Sequence, residues 1–171
     1  MIVSLTRLEK LCLCAFVVGV GVFVMGFSVP YWVTFPSSTS RFGLWELCST
    51  KGAGTCCFST LSKDFRILGE RLPGWFRGAQ TCACFALMCI MATFVCRIFF
   101  IFKNLENFHV PFIILDILAA VFAIVTAVIF GSEVTKYTNL SLSWSFAFDI
   151  MGGILFAVSG ACCFVKYCCH T

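Results

Sequence analysis

What most constrains this chain is a set of four apolar runs. Leu11 to Val29 carries no charge, and Ala79 to Cys96 continues past a single arginine, Arg97, to Phe102. Val110 to Phe130 is interrupted by Asp116, and Leu142 to Val165 contains Asp149. A helix rises ~1.5 Å per residue, so about 20 apolar residues cross the ~30 Å hydrocarbon core of a bilayer. Lipid offers the backbone no hydrogen-bond partners, which leaves helices as the natural form for such runs. The sequence therefore predicts transmembrane helices over about 11–29, 79–102, 110–130 and 142–165, in one domain spanning 1–171. One long and two short connections arrange them as an antiparallel four-helix bundle.

Composition agrees with a membrane solvent. Of 171 residues, 60% are hydrophobic and 12% charged, against about 25% charged in a soluble domain. The formal net charge of +4 is not gathered into any basic cluster, so nucleic acid is not an expected partner; lipid is. The two histidines, His109 and His170, both fall at predicted helix ends. No Ser–His–Asp set, phosphate-binding glycine loop or HExxH motif occurs, so no enzyme, catalytic residue or cofactor is expected. Ten of the 13 cysteines lie in or beside apolar runs, where a thiol acts as a small hydrophobe. Cys162-Cys163 and Cys168-Cys169-His170 are sequence neighbours that do not share a helix face, so no metal site is expected there.

The long polar connection from Pro30 to Gly78 is the segment that the helices present. Tyr31 to Phe35 and Phe42 to Leu47 are rich in aromatic and branched residues, with the turn-forming Pro36 to Ser40 between them. They predict a β-hairpin. A second turn signal, Lys51 to Thr55, leads to a third strand at Cys57 to Leu61. Cys48, Cys56 and Cys57 are the three cysteines of this polar stretch, and two of them can close a small disulfide loop. A connection this long in a compact protein is expected to be ordered, here as a small extracellular sheet.

Orientation follows from charges beside the first helix. With both termini inside, the inner segments carry Arg7, Lys10, Arg97, Lys103 and Lys166, fewer than the seven Lys and Arg of the outer loops. Arg7 and Lys10 nevertheless precede the first helix, and no charge follows it until Arg41. The first helix usually dominates orientation, and a disulfide-bonded sheet belongs on the oxidising side. Both termini are thus expected in the cytoplasm of a plasma-membrane protein. Asn139-Leu140-Ser141, in the second outer loop (131–141), is a glycosylation sequon on the outer side.

Trp32, Gly43-Leu44-Trp45, Cys48 and Cys57 together resemble the W–GLW–C–C signature of the superfamily of claudins, epithelial membrane proteins, peripheral myelin protein and channel gamma subunits. Leu72-Pro73 with Ala79-Gln80, and Trp144 to Ala147 with Gly152-Gly153, are similar to the helix entries of that superfamily. The resemblance implies that Trp32, Gly43, Leu44 and Trp45 anchor the sheet on the bundle, and that Cys48 pairs with Cys57, with Cys56 the alternative. Adjacent strand residues point to opposite faces, so only one of the two can face Cys48. Claudins usually carry arginine where Gln80 stands, and the myelin branch commonly carries glutamine; Arg77, one turn earlier, is a potential substitute. Two functions are implied. One is a protein of cell junctions, tight junctions included, that associates with its own copies or with related four-span proteins and shapes a paracellular barrier or pore. The other is a regulatory subunit binding a larger membrane protein laterally, which Gln80 and the short second loop favour.

Several single residues complete the set. Lys63, Asp64 and Arg66 follow the cysteines as candidate pore or interaction charges. Asp116 and Asp149 lie six or seven residues from predicted helix ends, where structural pairing or interfacial hydration outweighs an ion relay. Cys12, Cys14, Cys96, Cys168 and Cys169 gather at the predicted cytoplasmic ends, where palmitoylation occurs, and Cys168 and Cys169 are its candidates. Gly19, Gly21 and Gly26 are expected to admit a neighbouring helix.

Overall fold

Each of the four apolar runs forms a helix that is longer than its run, although Leu142, expected to open the fourth helix, lies in a strand instead. The computed structural model describes residues 7–35, 39–51, 54–62, 66–67, 70–103, 109–136 and 140–170, with only the backbone at 51, 66–67, 70–71, 103, 109 and 169–170. The helices are α1 (Arg7–Ser28), α2 (Gly74–Lys103), α3 (His109–Val134) and α4 (Trp144–His170). All four are long and apolar enough to cross a membrane. The chain is a four-span integral membrane protein whose helices pack antiparallel, α1 along α4, α4 along α3 and α3 along α2.

The helices outrun their apolar stretches because helical hydrogen bonding does not stop where hydrophobicity does. α2 starts at Gly74, not Ala79: Pro73 sets the entry, and the Phe76 N–H bonds the Pro73 carbonyl at 3.1 Å. This first turn brings Phe76 under the sheet, where it is fully buried. α3 runs on to Val134 and α4 starts at Trp144, so the second sheet-side connection, 135–143, is shorter than the expected 131–141 segment.

Bundle geometry rests on size complementarity. α2 and α3 turn alanines inward (Ala86, Ala119, Ala120, Ala123), and α1 and α4 fill the space with Phe16, Phe23 and Phe156. Phe23 and Phe156 meet edge to face at 6.0 Å. Leu11, Val17, Met88, Val121 and Ile154 point outward, as a lipid-facing surface requires. Gly19 and Gly26 do admit α4, but nothing lies within 4 Å of the position a Gly21 side chain would take. Gly21, expected to admit a neighbouring helix, instead faces outward and, among the described residues, contacts no other helix of this bundle.

At one end of the bundle sits a five-stranded antiparallel sheet in the order β4-β3-β2-β1-β7. Its strands are β1 (Val33–Thr34), β2 (Arg41–Phe42), β3 (Glu46–Lys51), β4 (Gly54–Ser59) and β7 (Ser141–Leu142), while β5 (Arg66–Ile67) and β6 (Glu70–Arg71) form a separate ribbon. The expected hairpin is present as β1 with β2. The expected second strand, Phe42 to Leu47, is instead split in two by Gly43-Leu44-Trp45, which reverses the chain from β2 into β3. The fifth strand comes from the second connection. Registry places Leu142, Val33, Phe42, Leu47 and Phe58 side by side across all five strands. Side chains alternate between faces, so this row forms one apolar stripe. Val33 and Phe42 are its buried centre. Ser141, Thr34, Arg41, Cys48 and Cys57 form the row on the other face.

Candidate functional site: the seat of the sheet on the bundle

The exit of α1 explains the first tryptophan. In a continuing helix the Gly26 carbonyl would accept from the N–H of residue 30, but that residue is Pro30 and has none. The Trp32 indole supplies the missing donor, its Nε1 giving a hydrogen bond to the Gly26 oxygen at 2.6 Å. The ring is fully buried, edge-on to Phe130 at 4.8 Å and Phe146 at 5.8 Å. One side chain thus joins the end of α1 to α3 and α4. The backbone continues the seam: the Ser143 N–H donates to Trp32 O and the Ser145 N–H to Tyr31 O. The second of these satisfies a donor in the first turn of α4 that has no partner within its own helix.

The Gly43-Leu44-Trp45 reversal is held from beneath. A side chain at Gly43 would place its Cβ 2.5 Å from the Pro30 Cα, so only glycine lets the turn approach the α1 exit this closely. Leu44 is buried, and its carbonyl accepts from Gln80 Nε2 at 2.7 Å and from Thr60 Oγ1 at 2.9 Å. Gln80 also donates to Thr60 Oγ1 at 3.1 Å. Gln80 itself therefore ties α2 to the turn, and Arg77 is exposed and does not substitute for it. Trp45 packs on Phe27 at 5.0 Å. Phe42 stacks on Phe76 at 5.1 Å.

Cys48 and Cys57 are bonded and directly opposed in β3 and β4, with Cα atoms 4.0 Å apart. Cys56 is a free, exposed thiol. Glu46 lies near the bonded sulfurs, but sulfurs in a disulfide have no thiolate to offer a metal. On the same face Arg41 donates to the Tyr31 hydroxyl and covers its ring at 4.7 Å. Lys63, Asp64 and Asn139 lie outside the described residues, and Arg66 is placed only as backbone in β5.

A second polar cluster lies in the half of the bundle away from the sheet. Asp116 is fully buried, and its Oδ2 accepts from Arg97 Nη2 at 2.6 Å and from Ser159 Oγ at 2.8 Å. Ser159 also lies 3.1 Å from the Cys12 carbonyl, so the cluster draws in all four helices. The guanidinium sits over Phe16 at 4.6 Å and Phe112 at 5.0 Å. Arg97 is thus an interior residue paired with Asp116, not one of the charges at the helix ends. The signal was legible: Arg97 lies six residues before the end of α2 and Asp116 seven after the start of α3. In an antiparallel pair those positions share one depth.

Asp149 differs from Asp116. It too is fully buried, and among the described residues neither carboxylate oxygen has a hydrogen-bond partner, nor do Ser145 Oγ and Trp45 Nε1. Asp149 lies between helices, its backbone nitrogen against Gly26 of α1. At the terminal end Lys166 pairs with Glu9, Cys12 and Cys163 are buried, and Cys14 and Cys168 are exposed. The Cys169 side chain is outside the described residues.

Comparison of the chain with protein-family models and with curated protein sequences finds no match. The chain is a four-span membrane protein that carries a disulfide-braced sheet at one end of its bundle.

Proposed function

We propose that this chain is a claudin-like protein of cell–cell contacts, with the sheet outside the plasma membrane and both termini in the cytoplasm, assembling laterally and contributing to adhesion or a paracellular barrier. The observation that carries this reading is the division of labour within the sheet. The centre of its apolar row, Val33 and Phe42, is seated on the bundle beside Trp32, Leu44 and Gln80. The disulfide row and the β4 edge remain for another protein. Each residue of the W–GLW–C–C pattern has a structural task at this seat, in keeping with the superfamily the motif resembles.

The segment from Pro30 to Gly78 holds six basic side chains against three acidic ones, a net charge of +3. A pore lined by it favours anions over cations, an effect that salt screens over ~8 Å at physiological ionic strength. Expression in a leaky epithelial monolayer is expected to lower sodium permeability relative to chloride, and glutamate at both Lys63 and Arg66 to reverse that bias. An unchanged ratio, with the protein at cell contacts, would overturn the pore reading.

A second reading is a regulatory subunit bound laterally to a larger membrane protein. It is favoured by the second connection, whose Ser141–Leu142 is committed to the sheet as β7 and leaves little chain to reach a facing cell. Here the monolayer is unaffected, and a larger membrane protein co-purifies instead.

A further inference from the structure

We propose that β4 pairs with β4 of a second copy about a twofold axis at Cys56, and that oxidation locks the pair by a Cys56–Cys56 disulfide. The inference needs the sheet to lie on the oxidising side of the membrane. It does not need the protein to act at junctions.

The open edge comes first. β4 ends the five-stranded sheet, and no described strand pairs with its outer side. All six residues of β4 are exposed. Antiparallel pairs alternate between hydrogen-bonded and non-hydrogen-bonded positions. The Thr60 N–H donates to Trp45 O at 2.8 Å, which makes 45 and 60 a bonded pair. Counting along the registry, Cys48 and Cys57 are then a non-bonded pair, in keeping with their 4.0 Å Cα separation. The N–H and C=O of Thr55 and Cys57 accordingly point away from β3, into the open edge. Such an edge is a template for another strand.

The side chains fix the register. With the twofold at Cys56, Thr55 of each copy exchanges hydrogen bonds with Cys57 of the other, about four bonds in all. The two Cys56 residues then face each other at a non-bonded position, the arrangement that already holds Cys48 and Cys57 together. On the same face Phe58 of each copy lies opposite Gly54 of the other. Phe58 is 57% exposed, and no atom of the described residues lies within 4 Å of where a Gly54 side chain would stand, so the large ring meets the one residue in the strand with no side chain. A twofold at Cys57 would instead set Phe58 against Cys56 and crowd the two Cys48–Cys57 bridges together.

The chemistry is thiol–disulfide exchange with a low-molecular-weight disulfide such as oxidised glutathione. One Cys56 thiolate attacks it, displaces a glutathione thiolate and forms a mixed disulfide. Cys56 of the second copy attacks the protein sulfur and displaces the second glutathione. Two protein thiols are oxidised and one glutathione disulfide is reduced.

The test uses the full chain in cells exposed to oxidised glutathione, alkylated with N-ethylmaleimide before lysis and run on non-reducing gels. The wild type is expected to give a dimer that dithiothreitol converts to monomer, and Cys56→Ser to give monomer alone while still reaching the surface. Register is read separately by co-expressing two chains that both carry Cys56→Ser, one with Gly54→Cys and the other with Phe58→Cys. A crosslink between them supports the twofold at Cys56. A wild type that stays monomeric, a dimer that survives Cys56→Ser, or no crosslink between the 54 and 58 cysteines would overturn the proposal. None of these results bears on monolayer permeability, so the two readings fail independently.

Discussion

Asp116→Asn is the sharpest probe of the bundle, because it keeps the side chain's shape and removes its charge. The Arg97 guanidinium then stays buried, between Phe16 and Phe112, with Ser159 as its polar neighbour at 2.7 Å. Removing one partner of a buried ion pair costs about 3–5 kcal/mol, because the remaining charge is left uncompensated away from water. At about 2–4 °C per kcal/mol for a chain of this size, the midpoint should fall by about 6–20 °C. The double variant Arg97→Met with Asp116→Leu removes both charges together, and replacing a buried pair by apolar residues is often neutral or stabilising by about 1–4 kcal/mol. It should therefore melt at or above the wild type, although each single change destabilises. The assay is thermal unfolding of a fluorescently tagged protein in detergent, followed as the loss of the monodisperse peak on size exclusion. If Asp116→Asn melts with the wild type, or the double variant falls as far as the singles added together, Arg97 and Asp116 do not act as a coupled buried ion pair.

Two further perturbations separate parts of the seat. Cys57→Ser removes the β3–β4 bond at a cost of about 2–5 kcal/mol and should cause retention during biosynthesis, read as loss of surface labelling, whereas Cys56→Ser should be delivered normally. Gly26→Leu forces a side chain against α4, where even a Cβ would lie 2.8 Å from the Asp149 nitrogen and 2.9 Å from the Ser145 carbonyl oxygen. It should lower the midpoint, while Gly21→Leu, on the open face of the same helix, should leave it unchanged.

How much of this was legible in the sequence depends on the range of the interaction. Spans are set by the solvent: lipid tolerates neither charge nor bare backbone, so four apolar runs determined four helices and their antiparallel order. Their ends are not legible in the same way, because a helix ends by backbone geometry, as at Pro73, while hydrophobicity ends with the bilayer. The hairpin of β1 and β2 was readable from its turn residues. The split at Gly43 was not, because it depends on Pro30 lying against that glycine across a dozen residues of chain. β7 was hidden for the same reason, since two residues carry no pattern until β1 offers them an edge.

The sequence by itself determined the membrane as solvent, four spans, and a cysteine-bearing polar segment between the first two. It also held the clue to the Arg97–Asp116 pair, since two opposite charges at one depth in neighbouring helices must answer each other. Only the tertiary structure decided what the motif residues do: Trp32 completes a carbonyl that Pro30 leaves open, Gln80 holds Leu44, and Cys57 faces Cys48 while Cys56 stands at an open edge. Those roles belong to atoms brought within hydrogen-bond or contact distance by packing between distant segments, and no local pattern of residues encodes such a distance.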